Sequence, residues 1–170
     1  MNIIKTLFFL VLIPVPLLFW APYKIALLSP IWQFNLGQLR YAALLPWLAG
    51  TVILLWSCWE FVFRGRGTPA PIDPPKVLVA EGLYRFVRNP MYLGALLILL
   101  GHVLWFQSLR LLLYAAALTP LFHLFVVFFE EPFLRRKFGV SYEDYCQRVP
   151  RWVPSVGKSD EGRVTRDERQ

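Results

Sequence analysis

The sequence predicts an all-α integral membrane protein of about four transmembrane helices, with a tight hairpin in its C-terminal half and short cytoplasmic C-terminal helices. Three observations carry that prediction. Hydrophobic residues make up 56% of the 170 residues and charged residues 17%, against about 45–50% and about 25% in soluble domains. Four charge-free runs, Thr6–Tyr23, Tyr41–Trp59, Asn89–Leu109 and Leu111–Phe129, each have roughly the 17–25 residues that take an α-helix across about 30 Å of hydrocarbon. No Asp or Glu precedes Glu60, and Lys and Arg cluster between the runs. A soluble domain needs polar residues over most of its surface. Composition therefore excludes a soluble globular protein, and its hydrophobicity excludes a disordered one.

The runs are continuously apolar rather than alternating, which makes them helices and not barrel strands. The first follows Lys5 and contains Pro14 and Pro16; without a small-residue cleavage site near Ala21 it reads as a retained anchor, not a secretory signal. A shorter run, Ile25–Leu39, carries Pro30, Gln33, Asn35 and Gln38 and reads as a re-entrant or interfacial connection. The second span ends at Glu60 and Arg64, spaced for an i,i+4 pair worth only tenths of a kcal/mol. Gly65, Gly67 and four prolines between Pro69 and Pro75 then prevent regular structure. Gln107 and Ser108 leave room only for a tight turn, so the third and fourth spans form an antiparallel hairpin. Gly94 and Gly101, seven residues apart, share a face that permits close packing. Pro120 is expected to kink the fourth helix.

Charge placement gives an orientation. With four crossings and an internal N-terminus, fifteen bases fall inside (Lys5, five from Arg64 to Arg88, nine from Arg135 onward) and three outside (Lys24, Arg40, Arg110). That bias places both termini in the cytoplasm. It also accounts for the net charge of +7 without nucleic acid, since basic patches beside a bilayer meet anionic headgroups. Cys58 lies in a span and Cys146 on the cytoplasmic side, so no disulfide joins them, and two cysteines make no zinc site.

Two stretches at the cytoplasmic boundary carry candidate chemistry. In Lys76–Gly94, Pro90 suits the first turn of the third helix and Asn89 is its natural cap. Free N–H groups there could take a carboxylate, or simply start an ordinary helix. Glu130-Glu131-Pro132 closes the fourth helix, where adjacent carboxylates oppose the helix dipole beside lipid. Their compensation is either Arg135 or Arg136 one turn on, or a cationic ligand. Together, a helix start and a carboxylate pair offer sites for both charges of an amino-acid moiety.

Tyr84-Arg-Phe-Val-Arg-Asn-Pro-Met-Tyr-Leu-Gly94 resembles the Tyr-x-x-x-Arg-His-Pro-x-Tyr-x-Gly motif of isoprenylcysteine carboxyl methyltransferases. Glu130-Glu131, Phe138-Gly139, Tyr142, Tyr145 and Val149-Pro150 follow the C-terminal pattern of that family. Glu-Glu-Pro-Phe at 130–133 also resembles the related phosphatidylethanolamine N-methyltransferases, and the likeness covers roughly Lys76 to Pro154. The resemblance implies an integral membrane methyltransferase that uses S-adenosylmethionine, with no Rossmann domain and no metal. By position it assigns Lys76, Val77, Leu78, Val79 and Tyr84 to the cofactor pocket, with Asn89, Pro90, Met91 and Tyr92 from the helix start, Glu130 against a polar or cationic part of the cofactor, and Glu131 as a second candidate. No catalytic residue is assigned.

The chain departs from the prenylcysteine enzymes at two positions. Asn89 stands for their His, and Val126 stands where they carry the Arg that engages substrate. Val cannot pair with a carboxylate, so a lipid amine or another small lipophilic nucleophile is favoured over a prenylcysteine carboxylate as acceptor. The expected partners are the lipid bilayer and that acceptor, with no nucleic acid. A nicotinamide-dependent membrane reductase and a non-catalytic scaffold with the same fold remain as alternatives. Residues 1–63 are the expected N-terminal helices, 64–157 the methyltransferase core and 158–170 a disordered tail. A bacterial inner membrane is the expected location, with the endoplasmic reticulum as the other choice. His102, His123 and Arg151 keep open roles, between packing and the site.

Overall fold

The computed structural model describes residues 12–28, 34–65 and 76–155. Among them the chain is helical, without a β-strand. A π-helical turn, Pro16–Trp20, runs into α1 (Ala21–Leu27). A 3-10 turn, Gly37–Ala43, leads into α2 (Leu44–Phe63). A second, Gly82–Arg85, precedes α3 (Pro90–Phe106). The fourth apolar run forms α4 (Leu109–Phe125), a π turn at Val126–Glu130 and α5 (Glu131–Phe138), after which comes α6 (Val140–Arg148). The start of the first run, the proline-rich stretch 66–75 and the tail 158–170 lie outside the described residues.

Two stretches are long and apolar enough to cross a membrane: Gly37–Phe63, 27 residues with an 18-residue window of mean hydropathy 1.6, and Leu109–Phe138, 30 residues with a window of mean hydropathy 2.1. Pro90–Phe106 is apolar but shorter. Only 28% and 17% of the two long apolar windows are buried. Leu45, Leu48, Val52 and Leu55 therefore face outward from α2, as do Leu113, Leu121, Phe128 and Phe129 from the fourth run. A core helix of a soluble protein would hide such side chains, whereas lipid accepts them.

α2 and α3 pack most closely. A Cβ added to Gly94 would sit 2.8 Å from the Gly50 carbonyl oxygen and 3.0 Å from the Leu54 nitrogen, and one on Gly101 would enter the Trp47 indole. The expected small-residue face of α3 is thus its contact with α2, and Gly50 completes it. Leu18, Leu54, Ala95, Ile98, Leu99 and Leu118 form the core between the helices. The Tyr114 hydroxyl donates to the Leu17 carbonyl at 2.9 Å, tying α4 to the first helix.

The hairpin turn is as tight as the sequence requires. Gln107 takes the left-handed conformation, φ 51°, and Ser108 Oγ accepts from the Leu111 N–H at 3.5 Å as a helix cap. The described end of the connecting run is lashed to this turn: Phe34 N–H donates to the Gln107 carbonyl at 3.0 Å and Leu36 N–H to its side-chain Oε1 at 2.8 Å.

The chain stays α-helical through Pro120, and the irregular turn comes six residues later at Val126–Glu130. Both π turns end two residues before a proline, Pro22 in the first helix and Pro132 in the fourth run. A proline ring clashes with the carbonyl four residues back, and a wider turn relieves that clash without ending the helix.

Candidate active site

Because of that wide turn, Glu130-Glu131-Pro132 does not close a helix. Helical structure continues to Phe138, with Pro132 in the first turn of α5, where its missing N–H costs nothing, and Arg135, Arg136 and Lys137 in the last turn. The two carboxylates therefore sit mid-helix, about 100° apart around its axis. They meet different surroundings.

Glu131 is fully compensated. Its carboxylate accepts from Arg88 Nη1 at 3.1 Å and from Arg151 Nε and Nη2 at 2.6 and 3.0 Å. The side chains of Glu131 and Arg88 are only 8% and 11% exposed, so this network is buried. Glu131's hydrogen bonds push the Arg151 pKa up and keep that guanidinium charged. The local partners expected from the sequence lie elsewhere: Arg135 is 3.9 Å from Glu143, and Arg136 Nε donates to the Pro132 carbonyl. Glu130, by contrast, accepts from the Tyr92 hydroxyl at 2.9 Å and has no Lys or Arg within ion-pair distance among the described residues.

A C-terminal strap brings Arg151 to this place. Arg88 N–H donates to the Pro150 carbonyl at 2.9 Å and Ser155 N–H to the Phe86 carbonyl at 3.0 Å. Asn89 Nδ2 donates to the Arg151 carbonyl at 3.1 Å. Asn89 thus occupies the N-cap position of α3 without a side-chain capping bond, a correction to the expected cap: its amide holds the strap instead. Trp152 Nε1 donates to His123 Nδ1 at 2.9 Å, which makes His123 a docking point for the same strap. His102 lies toward the far end of α3, accepting from Trp47 Nε1 at 3.0 Å, and takes no part in the site.

Between these parts lies a narrow cleft lined by Phe61, Leu78, Val79, Tyr84, Arg88, Asn89, Glu130, Glu131, Leu134, Tyr142 and Tyr145. One end is charged and the other is apolar and aromatic. Phe61 and Tyr84 meet edge to face at 5.4 Å, and the Tyr145 hydroxyl donates to the Tyr84 carbonyl at 2.7 Å. Burial pushes both tyrosine pKa values up, so the hydroxyls stay protonated. Arg88 Nη1 also donates to Cys146 Sγ at 2.8 Å, while Arg88 Nε is buried without a partner.

Of the residues singled out in the sequence, Leu78, Val79, Tyr84, Asn89, Glu130 and Glu131 line this cleft, and Tyr92 joins it through Glu130. Lys76 and Val77 are exposed, their N–H groups donating to the Gly65 carbonyl. Pro90 is buried in the first turn of α3, and Met91 packs on the inter-helix core. Phe61, Arg88, Leu134, Tyr142 and Tyr145 are the additions. Val126, at the departure from the prenylcysteine pattern, is 1% exposed inside the π turn. Glu60 and Arg64 are not paired with each other: Arg64 bonds Glu81, and Glu60 is buried against Trp56 and the backbone of Leu83.

Fold and site together define a helical protein with outward apolar faces and a charged, partly aromatic cleft at the open end of its hairpin. Residues 39–141 match the family model for phospholipid methyltransferases, and the chain belongs to that family. It is 35% identical over 80 residues to a protein-S-isoprenylcysteine O-methyltransferase B of Arabidopsis thaliana, covering 46% of this chain and 40% of that protein. It is 27% identical over 158 residues to a methanethiol S-methyltransferase of Crocosphaera subtropica, covering 84% of this chain and 57% of that protein. The chain thus spans less than two thirds of either relative. No solved structure matches it.

Proposed function

We propose that this chain is a membrane methyltransferase that takes S-adenosylmethionine in the cleft and methylates a lipophilic acceptor, a lipid amine or another small nucleophile. The single observation that carries this reading is Glu130: a carboxylate in a cleft, midway along a largely apolar helical run, with a neutral tyrosine hydroxyl and, among the described residues, no basic side chain to balance it. An uncompensated carboxylate there is costly unless a cation joins it.

The residues present suit the cofactor. Its ammonium would pair with Glu130 and its carboxylate with the orphaned donor of Arg88, two charges matched by two groups left open. Phe61, Leu78, Val79, Tyr84 and Leu134 offer apolar and aromatic walls for a nucleoside. Lys76, Val77, Pro90 and Met91, which the resemblance also assigns to the pocket, are not needed for this arrangement. When bound, the cofactor supplies an electrophilic methyl group on a sulfonium. The chain's own part is to orient the two reactants and exclude water. Arg88 and Arg151 hold Glu131 rather than an anionic acceptor, and Val126 adds no charge, which supports a neutral or amine nucleophile over a carboxylate.

The same reading has four spans with both termini in the cytoplasm, the first helix an anchor, residues 64–157 the catalytic unit and the lipid bilayer its setting. Lys24, Arg40 and Arg110 at the turn end, against the many bases around the cleft, support that orientation. The test is to incubate the purified protein in nanodiscs with methyl-labelled S-adenosylmethionine and a total lipid extract. Label is expected in the organic phase. No labelled product, together with no cofactor binding by calorimetry while the fold is intact, would end this reading.

A further inference from the structure

Glu60 is 1% exposed, and it stands outside the lining of the cleft. Its Oε1 accepts from the Trp56 indole at 2.9 Å and from the Leu83 backbone N–H at 3.3 Å, while Oε2 is buried with no partner. The opposing residue is Gly82, at φ +59°, and a Cβ there would collide with the Glu60 carboxylate. The contact therefore requires both residues: an acid on the last turns of α2, and a residue on the loop that lacks a side chain and accepts a left-handed backbone.

This loop forms one wall of the cleft. Leu78, Val79 and Tyr84 all belong to it, and its other fastening is the Gly65 carbonyl, which receives the Lys76 and Val77 N–H groups at 2.8 and 3.3 Å. Both fastenings lie at one end of α2. A buried carboxylate with an orphaned oxygen is an expensive way to hold a loop, since a neutral group of the same shape avoids the desolvation. What the side chain supplies is a directed acceptor oxygen for one backbone N–H, which sets the loop against α2 and so sets Tyr84 against Phe61.

We propose that Glu60 is a positioning residue, fixing the Gly82–Leu83 backbone so that the loop presents Leu78, Val79 and Tyr84 as a preformed cofactor wall. The proposal rests on the cofactor reading given above, and its test separates the two. Hydrogen exchange at the Leu83 amide, without cofactor, reports the clamp alone. Calorimetric affinity for S-adenosylmethionine reports its consequence. In Glu60→Ala, protection of Leu83 falls about tenfold or more and the cofactor Kd rises about tenfold, while kcat at saturating cofactor stays within about twofold. Glu60→Gln keeps an acceptor oxygen and restores both measures to within about threefold of the parent protein. Gly82→Ala weakens binding by itself and costs less in the Glu60→Ala background, because its methyl then enters the space the acid left and only the left-handed backbone remains against it.

An unchanged Kd in Glu60→Ala, a Gln variant as defective as the Ala variant, or additive effects in the double variant would each overturn the proposal. If the parent protein binds no cofactor yet Leu83 is protected only when residue 60 is Glu or Gln, the cofactor reading fails and the clamp stands. If Leu83 is equally protected in Glu60→Ala, the clamp fails whatever the cofactor does.

Discussion

At the turn end of the hairpin, Trp47 donates to His102 at 3.0 Å and Gln107 satisfies the backbone of both Phe34 and Leu36. At the open end, two arginines converge on Glu131 while Glu130 beside it has one neutral donor, and Arg88 Nε and Glu60 Oε2 are buried without partners. Both ends bury polar groups; one uses neutral groups in pairs, the other uses charges and leaves some open. Neutral, satisfied pairs hold a structure together at little risk. Charged groups left open carry a desolvation cost that only a ligand or a special geometry offsets. The turn end is built to hold the hairpin, and the open end is built to receive something.

The largest expected effect breaks the open end's own scaffold. Glu131→Ala leaves Arg88 and Arg151 unpaired and is expected to lower stability by about 3 kcal/mol, read from denaturant unfolding in detergent. A loss below about 1 kcal/mol would make the network a surface feature and remove the contrast between the two acids. Next comes the helix pair that joins the ends. Gly94→Ala pushes a methyl into the Gly50 carbonyl and the Leu54 nitrogen, and about 1–3 kcal/mol of destabilisation follows. Smallest is the turn end. Trp47→Phe removes one N–H donor to His102, lowering stability by about 1 kcal/mol while cofactor affinity stays unchanged. A change in affinity there would mean that the ends are coupled along α3.

The fold was legible where the information is local. The hairpin follows from Gln107 and Ser108 standing alone between two apolar runs, and the small-residue face from Gly94 and Gly101. Pro90 at the head of α3 needs no knowledge of the rest of the chain. The site was legible in its residue types but not in its pairings. Arg135 and Arg136 are the cations nearest Glu131 in sequence, yet Arg88 and Arg151 reach it from 43 and 20 residues away. Asn89 looked like a cap because its local position suits one; a strap that comes back 62 residues later offers it a different partner. The i,i+4 spacing of Glu60 and Arg64 suggested a surface pair, whereas the loop carrying Gly82 buries one and Glu81 binds the other. The π turn at Val126–Glu130 was hidden for a related reason: Pro132 looks like a terminator until a wide turn lets the helix pass it.

The most direct test of the division between the two acids is the cofactor affinity of Glu130→Gln, measured by calorimetry on protein whose unfolding midpoint matches that of the parent chain. Removing an open charge should leave stability within about 1 kcal/mol and weaken S-adenosylmethionine binding about tenfold or more. Unchanged affinity in a folded Glu130→Gln protein would contradict the account, because the open carboxylate of the cleft would then have no ligand to meet.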